Sequence, residues 1–220
     1  MISHNLTLRQ QKRMLQFITN TESSVSPVEQ VKGVIAGGCR WVQVRMKDAS
    51  DEEVSRVIAE IKPLCLETET FLILDDRVEL AQTLDVGGVH LGHLDMPPLK
   101  ARNILGPAAV IGYTANKIED VMSVKNVDID YIGIGPYRQT TTKKNLAPIL
   151  GAEGIGAICR EMDRMELEFG RVAVGGIEMD DIPVLISSGV HGIAVSGALA
   201  NAKDISKATS EMLALLQSSK

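Results

Sequence analysis

Residues Thr70 to Leu91 read TFLILDDRVELAQTLDVGGVHL, and this stretch sets the fold. A short aliphatic run ends at Leu74, two aspartates follow, a segment with helical spacing starts near Val78, and a second short apolar run covers Gly88 to Leu91. Strand, helix, strand in so few residues is one unit of a parallel sheet. Working outward, the same unit recurs to both ends of the chain. Strands are expected at Met14 to Thr19, Trp41 to Arg45, Thr70 to Leu74, Gly88 to Leu91, Val110 to Tyr113, Tyr131 to Ile134, Arg171 to Val174 and Gly192 to Val195. Helices are expected to begin near Pro27, Asp51, Val78, Pro97, Ile118, Gly151, Met179 and Asp204, several with Pro or an acidic residue in the first turn. Eight such units in 220 residues point to a single-domain (β/α)8 barrel at 14–220, with an open doubly wound sheet as the alternative. Residues 1–13 read as a tail or a short helix closing the barrel bottom.

Composition narrows the function classes. Lys and Arg number 23 against 28 Asp and Glu, a net charge of -5, which gives no electrostatic reason for a nucleic-acid partner. No run approaches the roughly 18 apolar residues of a membrane span, and no signal-type block opens the chain, so a cytoplasmic protein is expected, and small anionic ligands remain open. The three cysteines, Cys39, Cys65 and Cys159, lack metal-ligand spacing and read as buried thiols. A homodimer is the default assembly for a small barrel.

A barrel keeps its chemistry at the C-terminal ends of its strands, so the strand ends carry the functional reading. In Trp41-Val42-Gln43-Val44-Arg45-Met46-Lys47, alternation puts Val42, Val44 and Met46 against the helices and aims Gln43, Arg45 and Lys47 into the mouth. Two cations so placed call for an anionic ligand such as a phosphate or diphosphate. Asp76 and Asp95 end successive strands and suit Mg²⁺, which takes one or two carboxylates plus water and phosphate oxygens. As bland alternatives, Asp76 pairs with Arg77 and Asp95 caps the helix at Pro97. The stretch Thr140-Thr141-Thr142-Lys143-Lys144 offers hydroxyls and ammonium groups to one anion, or is an ordinary solvated loop. Gly175-Gly176 and Ser196-Gly197 end the last two strands, where main-chain N–H groups of barrels often bind phosphate. Of the histidines, His93 alone stands at the mouth as a candidate ligand contact; His90 and His191 read as ordinary hydrogen-bonded residues.

From Met14 to the last strand these motifs, in this order, resemble the thiamine phosphate synthase family. Gln43-Val44-Arg45-Met46-Lys47 is similar to its Gln-Leu-Arg-x-Lys, Asp75-Asp76-Arg77 to Asn-Asp-Arg, and Gly92-His93-Leu94-Asp95 to Gly-Gln-x-Asp. Ile111-Gly112-Tyr113-Thr114-Ala115 resembles the strand-five segment with a hydroxyl near the pyrimidine, and Gly135-Pro136 to Lys144 the Gly-Pro-x-x-x-Thr-x-Thr-Lys-Lys loop. The resemblance implies a Mg²⁺-dependent transferase that joins 4-amino-2-methyl-5-(diphosphooxymethyl)pyrimidine to 4-methyl-5-(2-phosphoethyl)thiazole, or its carboxylated form, releasing diphosphate. It implies that Asp76 and Asp95 hold the metal, and that Gln43, Arg45, Lys47, Asp75 and Thr114 meet the pyrimidine diphosphate. Thr140, Thr142 and Lys143 inherit thiazole phosphate and diphosphate contacts, and Gly176, Ser196 and Gly197 the thiazole phosphate cradle. Arg45, Lys47, Lys143 and Thr114 are the implied catalytic set. Departures are Asp75 for Asn, His93 for Gln, Met46 for a frequent Glu and Asn20 for Asp. Rival readings are a thiazole tautomerase-like paralogue, which uses a histidine where Asn116 stands, a Schiff-base aldolase using Lys47 or Lys143, and a non-catalytic phosphate-ligand sensor.

Overall fold

The computed structural model describes residues 14–139 and 148–219. The aliphatic runs form eight strands: β1 (Met14–Ile18), β2 (Trp41–Val44), β3 (Phe71–Asp75), β4 (Gly88–Leu91), β5 (Val110–Ala115), β6 (Tyr131–Ile134), β7 (Gly170–Val174) and β8 (Gly192–Val195). They close a barrel in chain order, and the closing β1–β8 pair is parallel like the rest. The helices among the described residues are α1 (Pro27–Ala36), α2 (Asp51–Glu67), α3 (Val78–Thr83), α4 (Pro98–Leu105), α5 (Ile118–Ser123), α6 (Gly151–Arg164), α7 (Ile182–Ser187), α8 (Gly197–Ala200) and α9 (Ile205–Ser218). None is long and apolar enough to cross a membrane. The segment 1–13, expected as a tail or short helix, lies outside the described residues.

Local chemistry starts these helices where the sequence places them. Ser26 precedes Pro27 and accepts the Glu29 N–H, while Ser50 and Glu53 form a reciprocal capping box on α2. Asp204 does the same work for α9 by accepting the Lys207 N–H. Two of the helices differ from expectation. The seventh helix opens with a 3-10 turn, Met179–Asp181, and α8 was not expected at all, because four residues are too few to show a period.

Alternation along the strands separates two apolar layers. Val42, Val44, Leu72, Leu74, Val89 and Leu91 face outward and pack with Val31, Val34, Ile58 and Ile61 of α1 and α2. The barrel interior is plugged by Trp41, Ile73, Val110, Tyr131, Val172 and Ala194, with Trp41 edge-on to Tyr131 at 4.8 Å between ring centroids. Tyr131 reaches the interior only because its register neighbour on β5 is Gly112: a Cβ there would fall inside the phenol ring. At the N-terminal end, buried Arg102 bonds the carbonyls of Gly106, Ala109 and Asp128 and pairs with buried Asp130, which also accepts the Ile111 N–H. Cys39, Cys65 and Cys159 are free and buried, and burial pushes each thiol up to about 11.

Candidate active site

The C-terminal mouth of the barrel holds a cavity of about 730 Å³. Gln43, Arg45, Asp75, Thr114, Gly176, Ser196 and Gly197, all candidates from the sequence, line it. β2 and β3 build one wall. Thr19 accepts the Arg45 N–H at 2.8 Å, which fixes the chain where β2 ends. Buried Gln43 donates through Nε2 to Asp75 Oδ1 at 2.8 Å, and Arg45 Nε lies 3.5 Å from Asp75 Oδ2. Asp75 is therefore clasped from the neighbouring strand by an amide and a guanidinium, an arrangement suited to an acidic residue beside an anion site.

Lys47 corrects the alternation argument. β2 stops at Val44, the chain turns, and Lys47 is exposed and absent from the cavity wall, so the inward row ends at Arg45. Its charge instead acts on Asp76, where it opposes part of the upward pKa shift. Both bland alternatives for the carboxylates fail. Arg77 is taken by Asp51 and by the Met46 and Ala49 carbonyls, and α4 starts at Pro98, with Pro97 before it and no side-chain cap. Asp95 instead accepts the Gly92 N–H at 2.6 Å within its own turn. Asp76 has a backbone φ of 64°, with its N–H on the His90 carbonyl. Burial, then repulsion from Asp95, raises the Asp76 carboxyl above the ordinary carboxylate range. Among the described residues no group of three or more His, Cys, Asp or Glu could hold a metal. A cation between Asp76 and Asp95 would have to complete its shell with water and ligand oxygens, which fits Mg²⁺ and not a closed zinc site.

The adjoining strand β4 carries a residue without metal-ligand spacing in the sequence, His90, the register neighbour of Asp75. His90 lines the cavity, with Nε2 at 2.9 Å from Thr114 Oγ1 and Nδ1 at 2.9 Å from the Tyr131 hydroxyl. Gly133 leaves space for it, since a Cβ there would come within 3.0 Å of the imidazole. β5 runs on to Ala115, past the expected end at Tyr113, so Thr114 is a strand residue facing inward. His93, by contrast, does not line the cavity. It is exposed at the rim, where it meets the Tyr113 hydroxyl at 3.1 Å and Asn116 Oδ1 at 3.0 Å. Asn116, which does line the cavity, donates to the Gly135 carbonyl at 2.5 Å.

The loops after β6 and β7 are tied together. The Gly135-Pro136 peptide is cis, and Tyr137 and Arg138 donate their N–H groups to the Val174 and Gly175 carbonyls. Arg138 then grips Asp181 with two bonds, at 2.7 and 2.8 Å, and the Gly176 carbonyl at 2.9 Å. Gly176 has a φ of 65°, and a Cβ there would strike the Arg138 side chain, so this approach needs glycine. Arg138, which lines the cavity, carried no sequence signal apart from its place before the threonines. Thr140, Thr142 and Lys143 lie outside the described residues.

Residues 15–199 match the family model described as thiamine monophosphate synthase. The chain belongs to that family. A thiamine-phosphate synthase of Bacteroides fragilis is 50% identical over 90% of this chain and 98% of its own length. One from Bacteroides thetaiotaomicron is 49% identical over 90% and 95%. Among solved structures, thiamine phosphate pyrophosphorylase from Pyrococcus furiosus superposes with a TM-score of 0.83 at 31% identity, covering 96% of this chain and 98% of that one. The resemblance read from the motifs and the barrel geometry thus meet in one family.

Proposed function

We propose that this chain is a thiamine phosphate synthase: it transfers the pyrimidinylmethyl group of the pyrimidine diphosphate, through its exocyclic methylene, onto the thiazole nitrogen and releases diphosphate. The observation that carries this is the convergence of Gln43, Arg45, Asp75 and Thr114 on one cavity; Asp76 and Asp95 do not line it but lie close enough to repel each other. The C–O bond between the exocyclic methylene and diphosphate breaks, its electron pair leaving with diphosphate, and the thiazole nitrogen lone pair forms the new C–N bond. Arg45 meets the charge that grows on the departing oxygens, with Lys47 and Lys143 adding positive charge. Gln43 and Thr114 hold the pyrimidine ring, and the glycine-bearing ends of β7 and β8, at Gly176 and Ser196-Gly197, take the thiazole phosphate on main-chain N–H groups, so that the two rings meet in line. No side-chain nucleophile is required. Asp76 and Asp95 would hold Mg²⁺, which when bound would supply Lewis-acid stabilisation of the leaving diphosphate. The reading places the enzyme in the cytoplasm with small-molecule substrates and leaves a homodimer as its default assembly.

The test is formation of thiamine phosphate from the two purified substrates, with Mg²⁺ and with a chelator. Product that depends on added metal supports the scheme. Tight binding of both ligands without product would move the reading to a sensor, and turnover retained by Asp76→Ala would remove the metal from it.

A further inference from the structure

We infer that His90 is a positioning residue that acts through Thr114, forcing the Thr114 hydroxyl to present its proton, not its lone pairs, to the pyrimidine. This rests on the function proposed above. The argument follows a chain of hydrogen bonds across the barrel. It begins at Gln16 on β1, whose Nε2 donates to the Tyr131 hydroxyl at 3.1 Å. Tyr131 is fully buried, and burial holds its phenol protonated, far above the ordinary tyrosine range. Having accepted from Gln16, that hydroxyl directs its one proton to His90 Nδ1, 2.9 Å away. An imidazole accepting at Nδ1 carries its proton on Nε2, and Nε2 lies 2.9 Å from Thr114 Oγ1. Thr114 is thereby the acceptor in this bond, and its own proton turns to the cavity it lines.

The chain is sterically built. Gly112 gives up its side chain for the Tyr131 ring and Gly133 gives up its own for the imidazole. The rings of His90 and Tyr131 lie 5.4 Å apart, tilted by 32°. A hydroxyl oriented this way selects a substrate atom with a free lone pair, as an aromatic ring nitrogen has, and a site made to donate there discriminates strongly against an analogue lacking that acceptor.

The test combines kinetics with a measurement that does not need turnover. The carboxamide of Gln can stand where Nε2 stands, whereas that of Asn reaches only the Nδ1 position. His90→Asn is expected to lower kcat/KM for the pyrimidine diphosphate by about tenfold, the scale of one lost hydrogen bond, with KM for the thiazole phosphate within about twofold of wild type. His90→Gln is expected to recover to within about threefold of wild type. In a Thr114→Val background, His90→Asn should cost less than about twofold more, because the group it acts through is gone. Equal losses in both backgrounds, or failure of Gln to rescue in a protein with an unchanged melt, overturn the inference. In the wild-type protein, long-range ¹H–¹⁵N NMR should find the neutral His90 ring protonated at Nε2, and Tyr131→Phe should admit the other tautomer. A neutral ring protonated at Nδ1 overturns the inference whatever the activity, whereas a wild-type protein that makes no thiamine phosphate overturns the proposed function and leaves the NMR result to decide the tautomer.

Discussion

At the N-terminal end of the barrel Arg102 and Asp130 meet at 3.0 Å, and three carbonyls take further guanidinium protons. At the C-terminal end Arg45 and Asp75 meet at 3.5 Å on the wall of a cavity. The two pairs have the same chemistry and opposite surroundings. The first is buried between α4, β5 and β6, where each bond it makes locks a chain segment. The second stands where a ligand can compete for it. Burial and several short backbone bonds mark the stabilising pair, and the long, ligand-facing separation marks the working one.

This contrast can be broken at several points. The largest effect is expected for Arg102→Met, which leaves Asp130 buried without its cation and should cost about 3–5 kcal/mol in urea unfolding while the folded fraction keeps its kcat. A destabilisation below about 1 kcal/mol would mean that the backbone carbonyls need no guanidinium. Arg45→Met reverses the pattern: kcat/KM for the pyrimidine diphosphate should fall by about 10²–10³, as for loss of a group that meets transition-state charge, while the unfolding midpoint moves little. Asp75→Asn can still accept from Gln43 but releases Arg45 toward the ligand. Its KM for the pyrimidine diphosphate should drop by about fivefold, the scale of one net hydrogen bond, and a rise would show that Asp75 is needed to aim Arg45.

The smallest effect concerns Asp76, whose folded-state pKa is raised. Its folded form holds a proton more tightly than the unfolded chain does, so its contribution is present below the ordinary Asp range and is lost as pH rises through the raised value. Without metal, Asp76→Asn should therefore melt slightly higher than wild type near neutral pH, with the gain vanishing in acid. Added Mg²⁺ should raise the melting temperature of wild type and not of the variant.

The comparison of the two ends also shows what a sequence can display. Alternation was enough to find Gln43, Arg45 and the outward aliphatic face, because each strand reports its own period. The same rule places His90 inward beside Gly88, with Val89 and Leu91 outward, yet a lone histidine without metal-ligand spacing carries no mark of its partners. Lys47 was misplaced because alternation says nothing about where a strand stops, and here β2 ends before it. The bond from Gln16 to Tyr131 joins residues 115 apart in the chain, and the Arg138–Asp181 pair spans 43, so neither leaves a local mark. The carboxylates at Asp76 and Asp95 were legible as strand ends, whereas the backbone bond that seats Asp95 follows from a turn that only coordinates reveal.

The buried cysteines have a practical consequence for anyone who handles this protein. All three are buried, and burial pushes each thiol up to about 11, so electrophilic reagents are expected to react with them slowly in the folded protein. Leu94, 94% exposed in the turn that carries Asp95, could be replaced by cysteine to give a single point of dye attachment with no prior removal of native thiols.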